Sequence, residues 1–262
     1  MAGQAHENRT KVVCTIGPAT QEAETLRALV RAGMDVARVN YSHGTADEHA
    51  QAIRRVRQVA AEERAALAVL ADLQGPKLRL GELARPFDLD VGDRVTLTSD
   101  AGADGSHGRL PFPHPELIAS ARPGGRLVFG DGEPEAVVRE VRPHALVVEV
   151  TTAGRLSSRR GVAAPGMGGS FEALTAKDRT DATRAVASGV DYVALSFVRT
   201  GDDVRRLRKH LGTLPHGADV GIVAKIEKLE AIENLDDILE ATDAVMVARG
   251  DLGVEVSPQE VP

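Results

Sequence analysis

The chain has 262 residues, 42% of them hydrophobic and 27% charged, with a net charge of −6. That balance suits a soluble globular protein and disfavours disorder. The acidic charge, five Phe, two Tyr and no Trp argue against duplex binding or base stacking, and the single cysteine, Cys14, excludes an internal disulfide or a multi-cysteine metal site.

The opening MAGQAHENRTK has no apolar segment, so no signal peptide is visible. No run approaches the ~18 apolar residues of a membrane span, and the chain reads as cytoplasmic. The spacing predicts a strand at 11–16 and a turn, GPAT. A helix follows, with Thr20 as its N-cap and Leu26, Leu29 and Val30 on its inner face. A second strand covers 36–40. Thr45 and Glu48 have capping-box spacing and start a helix that turns Ile53, Val56 and Ala60 inward. The third strand is 67–72. Strands separated by helices argue for a parallel sheet.

From about 78 to 170 the helical period disappears. Short strands at 94–98, 126–129, 136–141 and 145–150 alternate with GD, GG, DG and RP turns. This stretch reads as a small inserted β domain, because the βα pattern then resumes. The division is 1–77, first part of the main fold; 78–170, insert; 171–262, second part. GMGGS (166–170) reads as a hinge. Thr175 and Asp178 cap the next helix. Strands follow at 191–197, 220–226 and 244–248. Between them lie helices that place Val204, Leu207 and Leu211, then Leu229, Ile232, Leu235 and Leu239, inward. The basic clusters 54–57 and 205–208 read as solvated. With the insert removed roughly 167 residues remain, five to six units of a (β/α)₈ barrel that takes about 250. An open parallel sheet is the alternative.

In parallel βα folds catalytic groups gather at the C-terminal strand ends. There this chain places Arg38, Asn40, Ser42 and His43; Asp72, Lys77 and Arg79; Ser196 and Arg199; Lys225 and Glu227; and Arg249, Gly250 and Asp251. Lys225 and Glu227 leave the same side of an extended segment. Two carboxylates, Glu227 and Asp251, without His or Cys suit a hard ion such as Mg²⁺. An ammonium beside them suits a phosphate or a developing oxyanion, and Arg38 and Arg79 are phosphate or carboxylate clamps. The chemistry implied is metal-assisted handling of a phosphorylated, carboxylate-bearing small molecule.

The stretches TKVVCTIGPAT (10–20), GMDVARVNYSHG (33–44), ADLQGPKLRLGEL (71–83), EALTAKDRTD (172–181), DYVALSFVR (191–199) and the long 223–256 closely resemble pyruvate kinases. The resemblance implies an α/β fold, a (β/α)₈ barrel with a lid inserted after the third strand. It implies phosphoryl transfer from phosphoenolpyruvate to ADP, giving pyruvate and ATP, in a cytoplasmic homotetramer with no nucleic-acid or membrane partner. Lys225 would stabilise the enolate, and Arg38 would contact the substrate phosphate. Glu227 and Asp251 would bind Mg²⁺, or Mn²⁺ in its place, and the Gly250 and Asp251 backbone would hold the substrate carboxylate. Asn40, Ser42, His43 and Arg79 would line the nucleotide side. Arg160 takes the place of a family lysine in the lid hinge.

Two departures from the family pattern stand out. Many relatives bind K⁺ through residues matching Asn40, Ser42, Asp72 and the backbone at Leu73, and carry Glu where this chain has Lys77. A fixed ammonium can replace a monovalent cation, so the resemblance implies weak or absent K⁺ dependence. The family also continues with two more βα units, whose seventh strand supplies a threonine for substrate binding and proton delivery, and a C-terminal domain. The expectation is therefore an N-terminal portion of a longer protein, with an incomplete barrel of about six βα units. The rivals are a Mg²⁺-dependent phosphoenolpyruvate or pyruvate lyase or aldolase, and a non-catalytic relative.

Overall fold

A computed structural model describes residues 9–130, 132–167 and 172–256. The chain begins with β1 (Val13–Ile16), α1 (Ala23–Arg31), β2 (Val36–Asn40), α2 (Ala46–Glu63) and β3 (Ala68–Asp72). The insert holds β4 (Phe87–Leu89), β5 (Arg94–Thr98), β6 (Arg109–Pro111), α3 (Pro115–Ser120), β7 (Arg126–Phe129), β8 (Glu135–Arg142), β9 (Ala145–Thr152), β10 (Gly154–Leu156) and β11 (Val162–Ala163). Then come α4 (Ala176–Ala187), β12 (Tyr192–Leu195), α5 (Gly201–Leu211), β13 (Gly221–Ile226), α6 (Leu229–Glu233), α7 (Leu235–Ala241), β14 (Ala244–Val247) and α8 (Arg249–Glu255).

Six strands form one parallel sheet in the order β1-β2-β3-β12-β13-β14, an incomplete (β/α) barrel with the helices outside it. Strand side chains alternate between two faces. Ala37, Val39, Val69, Ala71, Val193, Leu195, Ile222 and Ala224 face outward and join the helices in the main core. Leu70, Ala194 and Val223 face inward, with Val36 and Met246 packed against them. Two residues further along, each inward strand exchanges its apolar side chain for a polar one. Val36 leads to Arg38, Leu70 to Asp72, Ala194 to Ser196 and Val223 to Lys225. One apolar layer thus floors a polar layer at the strand ends.

The insert has its own hydrophobic core, built on Leu97, Phe112, Leu127, Phe129, Val138 and Leu146. Its main sheet runs β11-β7-β8-β9-β5-β6, with β4 and β10 paired separately. The outgoing and returning connectors lie antiparallel: Leu80 N–H donates to Arg160 O, Val162 N–H donates to Leu78 O, and Arg79 pairs with Gly161. Asp178, fully buried, accepts from Gly75 N–H on the way out and from Thr175 N–H on the way back. One carboxylate therefore holds both crossings.

Capping boxes start α2 at Thr45 and α4 at Thr175. Four expectations need correction. Thr20 does not cap α1, because its hydroxyl accepts from Gly17 N–H and donates to Thr15 O within the turn; the cap falls at Glu22. The helix expected across 229–239 breaks at Asn234, whose side chain bonds back to Glu230 O. The break turns Ala231, Ile238 and Ala241 inward and leaves Leu229, Ile232 and Leu239 exposed. The basic clusters are not simply solvated. Arg57 donates to Gly189 O, Leu67 O and Asp191, while Arg208 donates to Ala241 O and Asp243. Finally, residues 249–251 form the first turn of α8 and not a strand end. The second half of the expected hinge, 168–170, and the final residues 257–262 lie outside the described residues.

Candidate active site

The polar layer above the barrel floor is a chain of alternating charges. Lys225 Nζ lies 2.8 Å from Glu227 Oε1 and 3.3 Å from Asp72 Oδ1, and donates to Ser196 Oγ at 2.9 Å. Ser196 Oγ in turn donates to Leu73 O at 2.7 Å. Asp72 Oδ2 accepts from Arg38 Nε at 2.7 Å, and Arg38 Nη1 donates to Thr15 Oγ1 at 2.9 Å. Glu227 Oε2 accepts from Phe197 N–H at 2.8 Å. Phe197 has a left-handed backbone, φ 56°, which aims that N–H at the carboxylate.

These groups are out of water: 10%, 2% and 1% of the Lys225, Asp72 and Glu227 side chains are exposed. Burial alone lowers the Lys225 pKa. The charges and hydrogen bonds of Glu227 and Asp72 outweigh it, and the pKa stands above the usual lysine value. Burial raises the Glu227 pKa, and repulsion from Asp251 adds to it, against the pull of Lys225 and Phe197 N–H. The Asp251 carboxylate thus acts on Glu227.

A cleft of about 400 Å³ opens beside this layer, between the barrel and the insert. Glu227, Asp251, Lys228, Glu230 and Glu255 line it from the barrel, and Lys77, Arg79 and Arg160 from the connectors. Arg79 Nη1 donates to Arg159 O, and Arg160 Nη2 donates to Glu133 O. Lys77 makes no ion pair among the described residues.

The structure therefore brings Arg38, Asp72, Lys225 and Glu227 into direct contact, and gathers Lys77, Arg79, Arg160, Glu227 and Asp251 around one cleft. It does not bring Asn40, Ser42 and His43 to that cleft wall. Asn40 Oδ1 accepts from Ser42 N–H, and His43 O accepts from His49 Nε2 at 2.6 Å, with the His49 ring on Tyr41. Gly250 is exposed on the first turn of α8. Sequence reasoning passed over Thr15, the Phe197 N–H, and the Lys228–Glu255 ion pair. The last had a readable signal, since Lys228 follows Glu227 and Glu255 lies one helical turn past Asp251.

Among the described residues no group of three or more His, Cys, Asp or Glu forms a ready metal cage. Two carboxylates, Glu227 and Asp251, lining an open cleft nonetheless fit Mg²⁺. That ion is commonly held by one or two carboxylates together with substrate oxygens and water.

The family model for the pyruvate kinase barrel domain matches residues 7–262. A pyruvate kinase of Agrobacterium vitis is 43% identical over 259 residues, covering 98% of this chain and 52% of that protein. Pyruvate kinase of Mycobacterium tuberculosis strain H37Rv is 46% identical over 255 residues, covering 97% and 53%. Pyruvate kinase 2 of Synechocystis is 42% identical over 259 residues, covering 97% and 43%. The chain spans about half the length of the curated relatives it matches. With a parallel barrel, a β-rich insert after its third strand and this similarity over nearly its whole length, the chain belongs to the pyruvate kinase family.

Proposed function

We propose that this chain carries the site for phosphoryl transfer from phosphoenolpyruvate to ADP, giving pyruvate and ATP. The observation that carries the reading is the buried Lys225 ammonium, held by Glu227, Asp72 and Ser196 beside a cleft with basic connectors on its far wall. In the reaction the bond between phosphorus and the enol oxygen breaks, and a bond forms to a terminal oxygen of ADP. The enolate left behind takes a proton on carbon and becomes pyruvate.

Such transfers depend on positioning and charge neutralisation. Lys225, fixed on three sides, would stabilise the enolate oxygen without reorganising. Arg38 has its Nε and Nη2 on Asp72, which holds its guanidinium plane for the substrate phosphate. Glu227 and Asp251 would hold Mg²⁺, or Mn²⁺, which when bound neutralises charge on the transferred group. Gly250 and Asp251 would meet the substrate carboxylate through their backbone. Arg79 and Arg160 would take the nucleotide phosphates; Asn40, Ser42 and His43, outside the cleft lining, are assigned to the nucleotide by the family resemblance alone.

K⁺ is not required in this reading. Asn40 Oδ1, the Asp72 carboxylate and Leu73 O already accept from protein donors, and Lys77 supplies a positive charge at the cleft. No helix among the described residues is long and apolar enough to cross a membrane. The reading places the reaction in the cytoplasm, in a protein that is a homotetramer at full length and needs no nucleic-acid or membrane partner.

The test is pyruvate formation from phosphoenolpyruvate, ADP and Mg²⁺, with and without K⁺, beside Lys225→Ala. In a form of the protein that carries the complete barrel, the expected result is turnover that K⁺ changes little and that the substitution lowers at least about a hundredfold, the scale of one lost charge-stabilising group. Equal turnover in the parent and in Lys225→Ala would contradict the reading.

A further inference from the structure

Helix α8 carries Asp251, yet little in its own sequence fixes it. It has seven residues, its N-cap Ala248 offers no side-chain acceptor, and Leu252 is its one buried residue. A helix this short is not stable alone in water and takes its position from tertiary contacts. Glu255 lies four residues after Asp251, on the same helix face. Its side chain is 3% exposed and ion-pairs with Lys228 Nζ. Lys228 directly follows Glu227, and its ammonium stands 6.0 Å from the ring centroid of Phe197, whose N–H holds Glu227.

We infer that the Lys228–Glu255 pair is a latch that positions α8, setting Asp251 against Glu227. Each latch residue sits close to one candidate cation ligand: Lys228 one residue past Glu227, and Glu255 one turn past Asp251. The pair thus cross-links the strand end and the short helix beside the two carboxylates, on the same cleft wall. Its Glu255 end is buried and its Lys228 end partly so. Glu255 Oε2 and Glu230 Oε2 are both buried without a hydrogen-bond partner, and Lys228 ion-pairs the Glu255 carboxylate in this acidic corner, with Arg126 a further cation acting on it. Neither latch residue is placed on the substrate or the nucleotide. They act through the separation of Glu227 and Asp251, and the inference rests on reading those two as cation ligands.

The experiment titrates Mn²⁺ into the 262-residue chain and follows the free ion by electron paramagnetic resonance. Hydrogen exchange across 249–256 is measured on the same samples. The variants are Lys228→Met, Glu255→Gln, the reversed pair Lys228→Glu with Glu255→Lys, and Glu227→Gln as a reference for the site. Circular dichroism confirms that each variant is folded. The latch predicts about tenfold weaker Mn²⁺ binding in Lys228→Met and in Glu255→Gln, with faster exchange in α8. The reversed pair recovers at least part of both. Unchanged Mn²⁺ affinity in both single variants, with Glu227→Gln abolishing binding, would overturn the latch and leave the site reading intact. Mn²⁺ binding that survives Glu227→Gln would instead overturn the site reading, and the latch with it.

Discussion

Asp72 and Lys225 sit on strands separated by β12, yet their side chains meet at 3.3 Å, and the same carboxylate holds Arg38 on the neighbouring strand β2. One buried anion thus serves two cations. Removing one partner from a buried ionic group costs about 3–5 kcal/mol, because the remaining charge stays buried and uncompensated. Asp72→Asn should therefore destabilise the fold by a few kcal/mol, read as a lower midpoint in urea. An unchanged midpoint would mean that solvent already screens the two cations.

Gly75 has φ 68°, and a Cβ there would stand 2.7 Å from the Phe197 ring. Gly75→Ala carries about 1–2 kcal/mol of left-handed backbone strain before any clash. It also pushes the residue whose N–H fixes Glu227. The expected result is lower stability together with weaker divalent-ion binding. Lower stability alone would show that Phe197 can give way without moving Glu227.

His114 sits at the base of the insert, its Nε2 3.0 Å from both the N–H and the carbonyl oxygen of Arg79, its ring edge-on to Phe112. Burial lowers its pKa below the usual value, against the raising effects of Arg79 and Glu116. A base with a depressed folded pKa binds fewer protons folded than unfolded. Stability is therefore full above the unfolded value of about 6.5, and falls as pH drops from there through the folded pKa. Urea midpoints at pH 7.5 and pH 5 should fall more for the parent than for His114→Gln. Equal falls would assign the acid sensitivity to other groups.

Much of this architecture is legible because its signals are short-range. Thr45 with Glu48, and Thr175 with Asp178, form capping boxes from residues three apart, and both helices start there. The inward register of β2, β3, β12 and β13 follows from alternation, which carries Arg38, Asp72, Ser196 and Lys225 to one face. What stays hidden depends on competing local bonds or on long-range partners. Thr20 has an N-cap's chemistry but spends its hydroxyl on the preceding turn. Asn234 breaks a helix whose apolar spacing looks continuous. Arg57 has the spacing of a surface residue, but its partners Gly189 and Asp191 come from more than a hundred residues away.

Strand β14 ends the barrel sheet with Val245 39% and Val247 54% exposed. Among the described residues no strand pairs with its outer edge; an apolar edge of that kind is a template for association, and a lysine on it opposes it. The 262-residue chain should self-associate with rising concentration, and Val247→Lys should shift sedimentation towards the monomer. A parent that stays monomeric at high concentration would show that this edge is protected.

Lys225, Glu227 and Asp251 together would form a charge site for a phosphorylated carboxylate. The most direct measurement is calorimetric titration with phosphoenolpyruvate, with and without Mg²⁺, on the parent and on Lys225→Met. The account predicts that Mg²⁺ strengthens binding to the parent and that the substitution weakens it at least tenfold, about 1.4 kcal/mol. Binding of equal strength in parent and variant, indifferent to Mg²⁺, would contradict it.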